Sequence, residues 1–351
     1  MTTDSLLVGW TNSVRGKGAH VNFYQDRNDH GHNRMYELAY PAPIHAEQGL
    51  NGENNNLPMV IALQGYADAG HAVAEAGTHL LHALEHETLA RFNVDDLIDY
   101  RSRRPAVTIE DNHVSSHEPL ELNLYAMKDV QGSPFLLLAG PEPDLKWEAF
   151  SDAVVELAER VAVNRVVTLY AAPMPVPHTR PLLISAHSSD PNLARQYHSW
   201  DARMLIPGAA SLEVERKFTE LGMDAIGITA HVPHYIAASE YPLATKRILE
   251  AVTDLTERDL PLKSLEGDIE KVEEQLAEQV GESHEIATVV GALERQYDQE
   301  VERLEKRRQN SLLAPGQSIP TGDELGAEFE EFLAAMSNED QPDNPEEDED
   351  H

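Results

Sequence analysis

Five short runs in this chain bring acids, bases or cations together on turns. Gly140-Pro141-Glu142-Pro143-Asp144-Leu145-Lys146-Trp147 leaves an apolar stretch at 134–139 and offers two carboxylates, Glu142 and Asp144. A carboxylate pair at the C-terminal end of a strand can do general acid–base work or orient a substrate. The same residues have a plainer use, in which the prolines fix a turn and Asp144 caps the next helix. Pro177-His178-Thr179-Arg180-Pro181 groups an imidazole, a hydroxyl and a guanidinium between two prolines. There His178 could shuttle a proton while Arg180 holds an anion. Alternatively, Arg180 pairs with an internal carboxylate such as Glu142.

His231-Val232-Pro233-His234-Tyr235 places two histidines three residues apart, with His234 the candidate proton carrier. Pro233 argues against a helix there, and no H-E-x-x-H is present, so no metal site is expected. His79, His82 and His86 recur at helical spacing and read as a solvated or interface stripe. Gly65-Tyr66-Ala67-Asp68-Ala69-Gly70 lies between an apolar run and a helical pattern. Free amides at such a turn cradle phosphates, which makes Gly65, Asp68 and Gly70 anion-binding candidates. Yet the run fits neither G-x-G-x-x-G nor the P-loop pattern, and Asp68 can simply cap the helix. Tyr100-Arg101-Ser102-Arg103-Arg104-Pro105 is the most basic run, and Arg104 is its anion-binding candidate. Its alternative role is to balance carboxylates, at a subunit interface for example. The chain has no cysteine, which excludes thiol catalysis, disulfides and thiolate metal sites. No serine stands in a nucleophile-elbow setting, so a hydrolase triad has little support. No cofactor signature is present.

Most of these runs need a common support. Apolar stretches at 59–64, 134–140, 165–170, 182–186 and 225–230 read as buried strands, and 6–10, 20–24 and 35–40 as short strands between polar turns. Helical spacing predicts helices over about 70–90, 146–162 and 240–257. Apolar strands alternating with amphipathic helices predict a sheet covered on both faces. The strand at 182–186 follows its predecessor too closely for a helical crossover, so the sheet should be mixed. If the strands that precede these turns are parallel, the loops at 65–71, 140–146, 177–181 and 231–235 meet on one edge. Beyond Leu260 the spacing changes to two near-heptad seams, Leu265–Leu276 and Ile286–Leu304, predicting a helical hairpin over 265–280 and 284–308. The expected organisation is a core domain at 1–257, a hairpin arm at 258–308, and a linker with an acidic disordered tail at 309–351. Within that tail, Leu325, Phe329, Phe332, Leu333 and Met336 recur at helical spacing.

Charge bounds the partners. The net formal charge is −34 over 351 residues. From Thr321 to His351 there are thirteen Asp or Glu and no Lys or Arg, so residues 1–320 carry −21. Such a surface repels nucleic acid and anionic membranes, and suits a partner with a basic face. No apolar stretch of about 18 residues and no signal-peptide pattern is present, so a cytoplasmic location is expected.

In order along the chain, G-Y-A-D-A-G, Y-R-S-R-R-P, G-P-E-P-D-x-x-W, P-H-T-R-P and V-P-H-Y resemble the actinobacterial branch of the proteasome-assembly-chaperone superfamily, of the second-chaperone (PAC2) type. The resemblance covers about residues 59–255. It implies a three-layer α/β/α sandwich with a mixed central sheet, similar to nucleoside phosphorylases and related hydrolases. It also implies a homo-oligomer, with a homotrimer favoured. Two functions remain open. One is a non-catalytic assembly or scaffold protein acting through protein contacts of its arm and acidic tail. The other is a phosphorylase- or hydrolase-like enzyme, or a binder of nucleosides or small anions.

Overall fold

The structure is a computed structural model that describes residues 22–24, 35–40, 56–194, 196–197 and 203–310. The strand expected at 6–10, the 325–336 segment and the acidic tail lie outside these residues.

In chain order the elements are β1 (Asn22–Tyr24), β2 (Tyr36–Tyr40), β3 (Pro58–Gln64), α1 (Ala72–Ala83), β4 (His86–Phe92) and α2 (Val94–Leu97). Then come β5 (Val107–Glu110), β6 (His113–His117), β7 (Asn123–Lys128), β8 (Pro134–Pro141), α3 (Trp147–Arg160), β9 (Arg165–Met174), β10 (Ile184–Ser188) and α4 (Pro191–Ala194). The last are α5 (Ala210–Glu220), β11 (Asp224–Pro233), α6 (Pro242–Thr256), α7 (Glu266–Glu282) and α8 (His284–Asn310).

Nine described strands form one mixed sheet in the order β1-β2-β4-β7-β8-β3-β9-β11-β10. The four central strands β8, β3, β9 and β11 run parallel, and all other neighbours pair antiparallel. The centre is parallel because its strands are apolar on both sides. Along β3, Met59, Ile61 and Leu63 enter one core with Phe150, Leu157, Val214 and Phe218 of α3 and α5. Val60 and Ala62 enter the other, with Val73, Leu80, Ile248 and Val252 of α1 and α6. Strands buried on both faces read as unbroken apolar runs, which is the sequence pattern here. The expected three-layer sandwich with a mixed sheet is the observed fold.

Local differences have physical causes. The helix expected over 70–90 ends at Ala83, and His86–Phe92 instead forms β4, paired with both β2 and β7. Pairing on both sides outweighs a helical spacing that Leu84 happens to continue. His86 therefore leaves the histidine stripe, while His79 Nε2 meets the Pro261 carbonyl at 2.8 Å. The strands β7 and β10 flank the parallel centre, and β10 runs antiparallel as its short connection requires. The two C-terminal helices break at Ser283 as the Gly281-Glu282-Ser283 sequence suggests. Leu276 of α7 enters the α1/α6 core, with Val272 and Leu265 packed against it. The chain divides into two compact units, Met1–Arg295 and Gln296–His351, a division that does not coincide with the 257/258 boundary. In the second unit α8 continues to Asn310, and Arg303 pairs with Glu300 along it.

Arg258 ties the N-terminal edge of the parallel strands to the end of α6. It is buried, and its guanidinium donates to the carbonyls of Pro134 (2.9 Å), Thr256 (3.0 Å) and Asn56 (2.6 Å). Arg258→Ala leaves three carbonyls without their donor. A loss of about 2–4 kcal/mol of unfolding free energy is expected, read by urea denaturation, because each buried orphaned acceptor costs about 1–3 kcal/mol before relaxation.

Candidate functional site

Because β8, β3, β9 and β11 are parallel, the loops that leave their C-terminal ends lie along one edge of the sheet. This rim carries Glu142 and Asp144, the 65–71 turn, His178 and Arg180, and His234. Its side chains fall into separate groups, each with its own partners.

The first group centres on Glu142, which is buried. One carboxylate oxygen accepts from the Ala210 amide at 2.6 Å, the first residue of α5. The other accepts from the Tyr66 amide at 3.4 Å. The side chain lies so close over Gly65 that a Cβ there would stand 1.9 Å from Oε2. Gly65 is thus required for close approach of the carboxylate, and the carboxylate occupies the position an external anion would take at these amides.

Asp144 does not cap α3. Its Oδ2 accepts from the Asp99 amide (2.8 Å) and the Ser102 hydroxyl (3.2 Å), and its Oδ1 lies 3.7 Å from Arg103 Nε. Arg103 also donates to the Gln64 carbonyl at 2.8 Å. The cation of the basic run that reaches the rim is therefore Arg103. Arg104 is exposed and makes no ion pair among the described residues.

Asp68 caps α1, as one reading of its turn expected. Its carboxylate accepts from Val73 (2.7 Å) and Ala74 (3.3 Å). Burial raises its pKa above the usual carboxylate value, while these two amides pull it down. Gly70 has φ +69°, a conformation that favours glycine. Its N–H donates to Ala237 at 2.7 Å and its carbonyl accepts from Tyr241 at 3.0 Å. These amides of the turn are engaged internally, which removes them from phosphate binding.

Another group lies towards α6 and α7. The Tyr235 hydroxyl accepts from the His178 amide at 2.9 Å and stands 2.6 Å from Nδ1. Which of the two donates in the contact to Nδ1 depends on the imidazole tautomer. Burial lowers the His178 pKa, against the upward pull of Glu294 and Glu273. Arg180 pairs with Glu294 at 3.1 Å and not with Glu142, and Thr179 donates to the same Glu294 oxygen at 2.5 Å. An open groove of about 660 Å³ lies beside this loop, walled by Pro181, Leu243, Ala277 and Val280. His234 is exposed, with its ring edge-on to Tyr235. His231 is buried, with Nε2 2.9 Å from Ser185 Oγ. The two histidines of the 231–234 run therefore face different surroundings. Among the described residues, no three His, Asp or Glu side chains are grouped to hold a metal ion.

The sequence reading missed a further polar group under α5. Glu215 is buried, accepts from the Tyr170 hydroxyl at 3.2 Å and lies 3.0 Å from His187 Nε2. Burial, then the Glu215 charge, hold the Tyr170 pKa well above its ordinary value. For His187 burial pushes down, but the hydrogen bond and charge of Glu215 prevail and raise it. Its signal was Glu215 beside Val214 on the inward stripe of a helix that the sequence reading did not identify.

A family model described as the PAC2 family matches residues 62–280. The chain belongs to the PAC2 family. Among solved structures, a Corynebacterium glutamicum protein of unknown function is 50% identical to this PAC2 chain, with a TM-score of 0.73, covering 77% of this chain and 99% of the other. A Mycobacterium tuberculosis protein of unknown function is 43% identical, with a TM-score of 0.74, covering 79% and 93%. A proteasome-assembly chaperone homologue, also from M. tuberculosis, is 26% identical with a TM-score of 0.62, covering 67% and 100%. No curated protein matches the chain.

Two outcomes test this geometry. Gly65→Ala should lower unfolding free energy by about 1–3 kcal/mol through overlap with Glu142. In a Glu142→Ala background the added cost should largely vanish, so the double-mutant cycle is strongly non-additive. Additive effects would mean that the carboxylate does not lie over Gly65.

The two histidines should titrate on opposite sides of the ordinary imidazole value of about 6.5. His187, raised, contributes stability that is full below that value and falls away as pH rises through its folded pKa. His178, lowered, contributes stability that is full above that value and is lost as pH falls through its folded pKa. Histidine-selective NMR titration, assigned with His178→Asn and His187→Asn, reads the order directly.

Proposed function

We propose that this PAC2 protein is a non-catalytic assembly factor of the proteasome-assembly-chaperone type. It acts through protein–protein contacts, as a homo-oligomer for which the trimer is the favoured form, in the cytoplasm. The observation that carries this reading is the state of the rim. The carboxylates best placed for chemistry, Glu142 and Asp144, are engaged by backbone amides and by Arg103. Arg180, the cation best placed to hold an anion, is engaged by Glu294. General acid–base catalysis needs groups that reach a common substrate atom, and these groups are instead directed at one another and at the backbone. The likeness to the M. tuberculosis chaperone homologue supports the same reading. The acidic body of residues 1–320, at −21, favours basic protein partners over nucleic acid.

The test is reconstitution. Proteasome core subunits from the same organism are mixed with and without the protein, and half- and full-particle formation is followed by native electrophoresis. The chaperone reading expects a severalfold change in assembly rate and co-migration with an intermediate. An unchanged rate with no co-migrating species would end it. Thermal shift with inosine, adenosine and inorganic phosphate tests the enzymatic alternative. The proposed function expects no rise in melting temperature, whereas a saturable rise of several degrees would favour a nucleoside or anion site.

A further inference from the structure

The loop between α2 and β7 projects as a ribbon of its own. Among the described residues the strands β5 and β6 pair only with each other, and every residue of both is exposed. Asp111 and Asn112 both have positive φ, 46° and 67°, which fits a tight hairpin turn. At the base, the Glu118 amide donates to Ala106 at 2.9 Å. The register pairs Val107 with His117 and Ile109 with Val114, with a bulge on β6 between the two pairs; Val107 and Ile109, two residues apart on β5, share a face with these partners, while Glu110 and His113 lie on the other. Val107, Ile109 and Val114 are 53%, 70% and 67% exposed. An isolated two-stranded ribbon is marginal in water, and its outer edges carry unpaired backbone groups.

A second exposed tract lies elsewhere on the chain. Residues 203–208, just before α5, are exposed, and none makes a hydrogen bond among the described residues. It contains Met204, Leu205 and Ile206, with Leu205 wholly exposed, and it begins with Arg203 and is followed by Pro207. Neither Arg203 nor the acids at the ribbon tip, Glu110 and Asp111, makes an ion pair among the described residues.

The two tracts match in register and in charge. Laid antiparallel along the outer edge of β5 with Arg203 opposite Glu110, the strip places Met204 opposite Ile109, Leu205 opposite Thr108 and Ile206 opposite Val107. Met204 and Ile206 then extend the apolar face of the ribbon, and Arg203 meets the acidic tip. A slip of one residue in either direction carries Met204 and Ile206 to the other face and leaves Leu205 as the one of the three beside Val107 or Ile109. Pro207, which has no N–H, falls at the first position beyond the pairing.

We infer that the ribbon of one copy takes the 203–206 strip of a second copy as its third strand. The inference rests on the self-association proposed above. The two surfaces differ, so the contact is heterologous and propagates from copy to copy until a ring closes. Strand addition of this kind draws affinity from main-chain hydrogen bonds and specificity from alternate side chains.

The absence of native cysteine makes the test direct. A chain carrying Ile109→Cys and Met204→Cys together should cross-link under mild oxidation into covalent multimers that dithiothreitol dissolves. Either substitution alone should give single chains, and so should Ile109→Cys with Leu205→Cys, which tests the slipped register. Ile109→Asp should reduce the light-scattering mass to that of one chain without shifting the melting temperature by more than about 2 °C. Val130→Asp, on a turn outside the ribbon, should leave the mass unchanged. If the native protein is oligomeric but the paired cysteines do not cross-link, this inference fails and self-association stands. Cross-linking by one substitution alone would mean a like-to-like contact and also overturn it. If the native protein is a single chain in solution, both readings fail.

Discussion

The rim is organised around one buried carboxylate held by backbone amides. Glu142 sits at the end of β8 and accepts amide protons from the start of α5 and from the β3–α1 turn. A buried carboxylate is costly unless its oxygens are satisfied, and amides at a helix N-terminus satisfy it well. Three segments far apart in the chain are fixed by this one group. The glycine beneath it is therefore a packing requirement: any larger residue at Gly65 occupies the space of the carboxylate. An open sheet of this kind usually leaves its C-terminal edge free for ligands. Here an internal anion stands where an external one would bind.

Once Glu142 and Asp144 are engaged on the α3/α5 side, the His178–Arg180 loop has to find its partners on the other side. It finds Tyr235 and Glu294. The rim is thus divided by the sheet itself. The two carboxylates belong to one layer, and the histidine and arginine to another. The Arg180–Glu294 pair is partly exposed, so it contributes little to stability by itself, about 0–1 kcal/mol. It does link the 177–181 loop to α8.

The fold was largely legible because the parallel centre is written as unbroken apolar runs that nothing else in a protein of this composition imitates. The strand β4 was not, since His86-Glu87-Thr88-Leu89 carries on the spacing of α1, and only pairing with β2 and β7 makes it a strand. The loops that converge on the rim were legible from topology. Their contacts were not, because a side chain on a loop chooses among several carboxylates by distances that sequence does not encode. Arg103 rather than Arg104 reaches Asp144, one residue away from the expected cation. Glu215 was invisible for a related reason: its burial follows from a helix whose short inward stripe, Val214 and Phe218, is hard to tell from a loop.

The acidity of the body bears on how copies could meet. Two bodies of −21 repel at close range, and salt screens this repulsion only beyond about 8 Å at physiological strength. A stable contact between copies must therefore be short-ranged, rich in backbone hydrogen bonds and apolar surface, and placed where an uncompensated cation stands. Arg101, Arg104 and Arg203 are exposed cations with no ion pair among the described residues, and two of them lie at the root of the β5–β6 ribbon. An amphipathic ribbon with its apolar face in water is a poor solution for a monomer and a good one for a chain whose surface otherwise keeps copies apart. The same acidity that disfavours nucleic acid would confine any contact between copies to the few places that escape it.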